Sequence, residues 1–198
     1  MKFGLLVLVV LGFTASSTVA NALVELKVGY SILNANPKSY NDFNTLIEPA
    51  KDLNGLTADL LLNSAIMPIN IGARYEKWAV KKDGGLTSSE VTYDRISVLL
   101  NKRFIDTVAY LGMNATVGVS NEFKDALNRK ASSSLSGSIG LEGGMKFGFL
   151  MAGVEGGYLI APLGDLKSST GTTITSAGSP VKVDMSGVYA RAMVGFNF

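Results

Sequence analysis

Most of the chain after Val24 alternates between apolar side chains and side chains that are polar or small. The pattern is clearest in the segment GVYARAMVGFNF at 187–198, where an apolar residue occupies every even-numbered position. A period of two places successive side chains on opposite faces of a β-strand. The alternation therefore predicts an all-β chain whose strands have two chemically different faces.

Eight segments carry this alternation, at 24–32, 56–63, 69–76, 95–100, 109–120, 135–142, 150–160 and 187–198. An even number of antiparallel strands brings both ends of a closed barrel to the same side, as in membrane-spanning barrels. We therefore predict an eight-stranded antiparallel up-and-down β-barrel.

The predicted connections are of two kinds, which alternate along the chain. Three are short, at 64–67, 101–106 and 143–147, and four are longer and polar, at 34–54, 81–90, 121–133 and 161–181. Short periplasmic turns and longer extracellular loops are typical of membrane barrels. The last loop is rich in Ser, Thr and Gly, which predicts a mobile and solvated segment. Residues 41–53 favour a short amphipathic helix, although Pro49 opposes it.

The first 22 residues have the features of a cleavable signal peptide. Lys2 is followed by the apolar run 3–13, and Ala20-Asn21-Ala22 gives the small-x-small pattern of a cleavage site. The run is shorter than the about 20 residues that a membrane-spanning helix needs. We expect a signal peptide at 1–22 and one barrel domain at 23–198; the alternative is a buried N-terminal strand or an uncleaved anchor.

The composition excludes several classes of protein. Cysteine is absent, so the chain has neither a disulfide framework nor a lipoprotein anchor. The basic residues are scattered rather than gathered into a stripe, which argues against a nucleic-acid partner. Apolar residues make up 47% and charged residues 17%, so the chain must bury a large apolar surface in a core or present it to lipid.

Alternation alone does not distinguish a lipid-facing barrel from a soluble one, whose apolar face points inward. The small residues favour the lipid-facing arrangement. Glycine on a solvated strand surface costs entropy and packs nothing, but it makes room inside a narrow eight-stranded lumen. The polar faces are rich in such residues, namely Gly29, Ser31, Gly72, Ser97, Gly112, Gly118, Ser136, Ser138, Gly140, Gly157, Gly187 and Gly195.

The charges on the polar faces are nearly balanced. Charges enclosed in a barrel must pair, because an uncompensated buried ion costs several kcal/mol. The alternative is an ordinary solvated sheet surface, where mixed charges need no partner. We favour a charge network in the lumen, formed by the acidic residues Glu25, Asp59, Glu76, Glu142 and Glu155 and the basic residues Lys27, Arg74, Arg95 and Arg191.

The end of the chain carries a resemblance to a known family. The segment GVYARAMVGFNF resembles the terminal strand of outer-membrane β-barrel proteins, in which a final Phe is part of the signal read by the barrel-assembly machinery. With the signal peptide and the eight strands, the chain resembles the small eight-stranded barrels of Gram-negative bacteria, which include the OmpA transmembrane domain and the OmpX and OmpW-like families. This resemblance implies an outer-membrane location, contact with its lipids, and an insertion signal at Phe196 and Phe198.

An aromatic girdle at the membrane interfaces is incomplete in the sequence. Its candidates are Tyr30, Tyr75, Tyr158, Phe196 and Phe198, whereas the single tryptophan, Trp78, falls on the polar face of its strand.

The composition argues against a catalytic function. The resemblance implies a comparison with the enzymes among outer-membrane barrels, such as the lipid A deacylases and the omptin proteases. These enzymes depend on histidine, and this chain has none. Without His or Cys, most transition-metal sites are excluded too, and we expect no cofactor. Glu142 and Glu155 form a possible acid–base pair, but pairing with Arg74, Arg95 or Arg191 is the interpretation we favour.

Three functions remain open at this point. The first is a structural or surface barrel with a closed, charge-filled lumen, whose four long loops contact an extracellular ligand. The second is a narrow pore or a conduit for small hydrophobic compounds, as the OmpW-like resemblance implies. The third is a soluble periplasmic ligand-binding barrel.

Overall fold

Strands account for nearly all of the regular structure. A computed structural model of the chain describes residues 24–44, 50–63, 68–84, 87–133 and 135–198. No helix in these ranges is long and apolar enough to cross a membrane. The elements in chain order are β1 (Val24–Ala35), α1 (Lys38–Phe43), β2 (Leu53–Leu62), β3 (Asn70–Gly84), β4 (Thr87–Asp106), β5 (Ala109–Lys124), β6 (Lys130–Ser133), β7 (Ser136–Phe147), β8 (Leu150–Ile160), β9 (Pro162–Asp165), β10 (Thr175–Ser176), β11 (Ser179–Pro180), β12 (Lys182–Asp184) and β13 (Gly187–Asn197).

The eight long strands close into an antiparallel barrel. Their order around the wall is β4-β3-β2-β1-β13-β8-β7-β5, and β5 returns to pair with β4. The first and last strands form one of the seams, in register from Glu25↔Asn197 to Ala35↔Gly187. The predicted fold class, an all-β closed barrel of eight antiparallel strands, is confirmed.

Several strands extend beyond the predicted segments, so three predicted connections are wrong. The loop at 81–90 is largely a continued β3–β4 hairpin, which pairs as far as Gly84↔Thr87. The turns at 101–106 and 143–147 belong to β4 and β7, and the chain reverses instead at residues 107–108 and 148–149, where Gly148 has φ +65°. In 81–90 both faces become polar, so the period of two disappears although the backbone pairing continues.

The other long connections contain more structure than the sequence indicates. The described helix is Lys38–Phe43, so it begins before the one expected at 41–53, of which residues 45–49 lie outside the described ranges; Leu53 already begins β2. Within 121–133, β5 continues to Lys124 and pairs with β6. Within 161–181, β9 pairs with β12 and β10 with β11. The signal peptide at 1–22 and the turn at 64–67 lie outside the described residues.

The outer wall is an apolar band with polar edges. Exposed side chains that face outward from the strands include Val28, Tyr30, Leu56, Leu60, Ile71, Val98, Leu111, Val117, Leu141, Val154 and Val194. At the loop end, the same faces continue into the polar residues Asn34, Asn54, Lys77 and Asp94. At the turn end they reach Lys102 and Asp106. Between these edges, the charged side chains of the described strands point into the barrel.

Candidate functional site

The nine charged residues predicted for the lumen all lie inside the barrel. None of them is more than 3% exposed. They alternate with the exposed apolar residues of the same strands, as in β13, where Arg191 is buried between Ala190 and Ala192, which face outward. Because of the pleat, one face of each strand contributes to an apolar outer surface and the other face to an ionic interior.

Arg74 on β3 is the centre of the network. Its Nε and Nη2 each donate to Asp59 of the neighbouring β2 at 2.7 Å. Its Nη1 and Nη2 donate to the two carboxylate oxygens of Glu155 at 3.0 and 2.8 Å. Glu155 is on β8, four strands away around the wall. One guanidinium thus makes bidentate contact with two carboxylates and links opposite walls of the barrel.

Glu76 forms a second centre nearer the loop end. Arg95 of the neighbouring β4 donates to it at 2.6 Å, and Arg191 of β13 donates across the lumen at 2.8 Å. Arg95 also donates to the hydroxyl groups of Ser136 and Thr116. Each of these donors and acceptors belongs to a different strand, so the contacts fix the separation of the walls.

A third group lies towards the turn end and contains a residue that the sequence analysis missed. Lys27 Nζ contacts Glu142 at 2.9 Å, and Arg103 donates to both oxygens of Glu25 at 2.5 Å. Arg103 lay in a predicted turn, but β4 continues through it to a bulge between Arg103 and Ile105. With Arg103 included, the described lumen holds five acidic and five basic side chains, so its formal charge is zero.

The two carboxylates considered as an acid–base pair are neighbours in register, Glu142↔Glu155. Asn114 donates to both, at 3.0 and 2.7 Å, and Asn101 donates to Glu142 at 2.7 Å. The expected partners were correct for Glu155 but wrong for Glu142, whose cationic contacts are Lys27 and Arg103. These contacts are those of a packed ionic interior. In the described part of the chain, no three potential ligand residues cluster as a metal site would require.

Glycines make the lumen wide enough for two tyrosines. A Cβ on Gly153 would lie 2.0 Å from the Tyr110 hydroxyl, and a Cβ on Gly140 would lie 2.4 Å from the Tyr189 hydroxyl. The Tyr189 hydroxyl in turn donates to Glu155 at 2.7 Å. The small residues on the inward faces therefore leave space for large side chains that complete the network.

Above the charges, at the loop end, the lumen is closed by an apolar cluster that we call the cap. It combines inward-facing strand residues with residues from the connections: Leu33, Ala35, Tyr40, Ala50, Leu53, Trp78, Val91, Tyr93, Phe123, Ala131, Leu159, Ala161, Leu163, Leu166, Val181, Val183, Met185 and Tyr189. Trp78 stacks on Tyr93 with centroids 5.4 Å apart and donates to Ser31. Most of the Ser-, Thr- and Gly-rich segment 167–179 is exposed, which fits the expected solvated stretch, but Leu163, Leu166 and Val181 at the ends of loop 161–181 are buried in the cap.

The helix α1 is held to the cap by a polar contact. The Tyr40 ring packs edge-on against Phe123, and its hydroxyl is 3.4 Å from Asp125 and 3.0 Å from Asn44. Arg129 joins the same group by donating to Asp125 and Asn44. Burial, followed by the charge of Asp125, raises the pKa of the Tyr40 phenol well above its usual value, so this hydroxyl stays protonated at neutral pH.

Phe196 and Phe198 lie at the turn end of the barrel and face outward. Phe196 stacks between Phe198 and Phe149, with centroid distances of 6.1 and 6.2 Å. The girdle candidates Tyr30, Tyr75 and Tyr158 are likewise exposed, whereas Trp78 is in the cap. The role of Phe196 and Phe198 as an insertion signal stays a prediction.

Comparison with solved structures identifies the class of protein to which this fold belongs. The attachment invasion locus protein Ail of Yersinia pestis, solved in complex with the heparin analogue sucrose octasulfate, is similar with a TM-score of 0.53 and 11% identity, over 90% of this chain and all of Ail. Neisserial surface protein A (NspA) is similar with a TM-score of 0.50 and 10% identity, over 92% of this chain and all of NspA. No model of a protein family and no curated protein matches the chain.

The chain therefore has the fold of the small eight-stranded outer-membrane β-barrels, as its terminal strand and strand count predict.

Proposed function

We propose that this protein is an integral outer-membrane barrel with a closed lumen, whose role is structural or at the cell surface. On this proposal the chain is exported by a cleavable signal peptide at 1–22 and inserted by the barrel-assembly machinery through Phe196 and Phe198. Its extracellular loops are then available to a ligand outside the cell.

One observation carries the proposal: the apolar and ionic faces are arranged in the opposite way to those of a water-soluble barrel. Val154 and Val194 are each at least 60% exposed, while the neighbouring Glu155 and Arg191 are at most 3% exposed. In water, an exposed apolar band around the whole wall would drive association. In a bilayer, the same apolar band would contact the acyl chains of the lipids. The ions enclosed in the barrel are paired with one another.

The filled lumen argues against the pore or conduit function. Guanidinium and carboxylate groups bridge opposite walls, and the cap covers them at the loop end. Water-filled channels are found in barrels of 16 or more strands, whereas an eight-stranded interior is just wide enough for side chains to fill or for one small ligand. In planar bilayers we expect purified protein to give no steady single-channel current. A stable conductance would favour the conduit instead.

Extraction distinguishes the membrane barrel from a soluble periplasmic one. We expect the protein to stay with the outer membrane on osmotic shock and to require detergent for release. On detergent gels, unheated samples should migrate differently from boiled ones, because a closed barrel resists the detergent until it is heated. Release by osmotic shock without detergent would contradict the proposal.

A further inference from the structure

Val154 on β8 projects from the outer wall between four small residues. Its register partners are Gly143 on β7 and Ala192 on β13, and its outward neighbours along β8 are Ala152 and Gly156. The Val154 side chain is 63% exposed. We call the four small residues, Gly143, Ala152, Gly156 and Ala192, the hollow, because they leave a depression around a single projecting side chain.

The packing of the barrel does not require the two glycines of the hollow. On the inward faces, a Cβ would overlap other groups, as at Gly153, where it would lie 2.0 Å from a tyrosine hydroxyl. A Cβ on Gly143 would have its nearest neighbours at 3.6 Å and one on Gly156 at 3.9 Å, which are ordinary van der Waals distances. Glycine inside a strand costs entropy and often marks a site where another backbone or a ligand approaches closely. These two glycines therefore indicate a contact with something outside this chain.

The sector of the wall that contains the hollow differs from the rest of the described barrel. Within the apolar band, the glycines that face outward lie on β7 and β8 only. The outward faces of β1 to β5 hold a few alanines and otherwise larger apolar residues, such as Tyr30, Leu60 and Val98. The depression is thus a local feature of one side of the cylinder.

The hollow opens into an apolar groove. Gly143, Ala152 and Ala192 line this groove of about 690 Å³ together with Tyr30 and Met145. Sites of about 300–1,000 Å³ take up whole small ligands, so the groove has room for several side chains of a partner. The outward residues of β7, β8 and β13 carry no charge. A partner that covers this sector therefore buries no ion.

Close approach of two backbones distinguishes a second protein from lipid as the occupant. Acyl chains are flexible and cover large apolar side chains as readily as small ones. Between helices in a membrane, small residues let the backbones approach closely, because association there depends on van der Waals packing rather than on the hydrophobic effect. The same physical reason applies to two sheets that face each other in a bilayer. The hollow therefore fits the wall of another barrel better than it fits a lipid tail.

A projecting side chain and a hollow on the same face make that face self-complementary. In a two-fold dimer both copies use the same patch, so Val154 of each copy can enter the hollow of the other. The strands β7, β8 and β13 have 11 or 12 residues each. At about 3.3 Å per residue and about 4.8 Å between strands, their outer face covers about 15 by 35 Å. Two such faces together bury on the order of 1,000 Å², which is the area that a specific interface requires.

We propose that the face formed by Val154 and the hollow binds a second copy of this chain, so that the protein is a two-fold dimer in the membrane. The proposal rests on the membrane location proposed above. It assigns the two outward glycines to the dimer contact, and it leaves the opposite side of the wall, centred on β3, to lipid.

Cross-linking in isolated outer membranes tests which side of the wall meets the second copy. The chain has no cysteine, so a single introduced thiol is unique. Ala192→Cys places it in the hollow, and the matched control Ala73→Cys places it on an exposed position of β3, four strands from β8. With a short bifunctional maleimide we expect a covalent dimer from Ala192→Cys and none from Ala73→Cys. No cross-link at Ala192→Cys, or equal cross-linking in both variants, would overturn the proposal.

A second measurement fills the hollow without disturbing the barrel. Gly156→Leu adds a side chain where the chain itself leaves space, and Ala73→Leu adds bulk on the opposite wall as the control. Sedimentation equilibrium in micelles gives the dissociation constant of the dimer, and heat-modifiable migration verifies folding. We expect Gly156→Leu to raise this constant about tenfold, because an overpacked interface loses its fit, and Ala73→Leu to leave it unchanged.

The remaining outcomes identify other occupants. Equal weakening in both leucine variants would overturn the proposed face. A lipid that native mass spectrometry finds on the wild-type monomer and not on Gly156→Leu would assign the hollow to an acyl chain instead of a second copy. Osmotic-shock release tests the membrane location independently of the oligomeric state, so failure of the dimer and failure of the proposed function are distinguishable.

Discussion

The ionic part of the lumen and the apolar cap fill the same cylinder by opposite means. In the ionic part, strands on opposite walls are joined by hydrogen bonds with defined geometry, such as those from Arg74 to Glu155. In the cap, most contacts are between apolar side chains, with a few hydrogen bonds such as that from Trp78 to Ser31. A guanidinium that bridges two carboxylates cannot be removed without leaving buried charge, whereas a cap residue can be shortened at the cost of a cavity. The two regions should therefore respond differently to substitution.

The largest effect is expected from Arg74→Leu. The substitution leaves Asp59 and Glu155 without their main cationic partner inside the lumen. Breaking a buried ion pair on one side costs about 3–5 kcal/mol. Urea unfolding in micelles should show this loss of unfolding free energy, together with loss of heat-modifiable migration. A loss no larger than that of the exposed control Lys102→Leu would contradict the ionic lumen.

A cap substitution should cost less and leave the barrel closed. Leu166 is fully buried in the cap, and its replacement by alanine is expected to cost about 3 kcal/mol through the cavity that it leaves. Because the ionic contacts below are untouched, Leu166→Ala should retain heat-modifiable migration while trypsin cleaves the loop at Lys167 or Lys182 faster. If Leu166→Ala lost heat-modifiable migration together with its resistance to trypsin, the barrel and the cap would unfold as one unit.

Arg191→Leu tests how far the ionic network compensates for one missing member. Glu76 retains Arg95, and Glu155 retains Arg74. We therefore expect a loss of about 2 kcal/mol, of the order of hydrogen bonds to charged groups and smaller than for Arg74→Leu. The unfolding temperature in micelles should fall accordingly. An unchanged unfolding temperature would count against the interior position of Arg191.

The smallest effect is expected from Tyr40→Phe, and it should depend on pH. At pH 8 the variant loses the hydroxyl contacts with Asn44 and Asp125, which we expect to cost about 1 kcal/mol. The folded-state pKa of this phenol is raised above its unfolded value of about 10. Its contribution is therefore fully present below pH 10 and is lost as the pH rises above that value.

Unfolding temperatures of the wild type and Tyr40→Phe at pH 8 and pH 11 measure this difference. At pH 8 the wild type should have a higher unfolding temperature than Tyr40→Phe. This difference should disappear at pH 11. A gap that stays constant would show that Tyr40 does not titrate with unfolding.

The wall and the identity of its lumen residues could be predicted because both follow from a period of two. Wherever one face is apolar and the other polar, as in 187–198, parity assigns each residue to a side. Nine residues chosen in this way are buried in the structure. Parity does not give partners, however. Which carboxylate meets which cation depends on register and on which strands lie opposite, so the contacts of Glu142 could not be derived.

Arg103 and the cap were missed for different reasons. Arg103 lies where the outward face of β4 becomes polar, so alternation gives no signal there, and a bulge follows it. The cap is assembled from connections that have no common period. One signal was present in the sequence: Val181, Val183 and Met185 alternate with polar residues, and this stretch contains β12.

The seam between β1 and β13 has a consequence for the assembly of the barrel. It joins segments from the opposite ends of the sequence, in register over eleven pairs. Any shorter intermediate has two unpaired edges, which lipid cannot satisfy and which invite pairing with other chains. Closure of the wall therefore requires residues 187–197, without which β1 and β8 would each keep an unpaired edge.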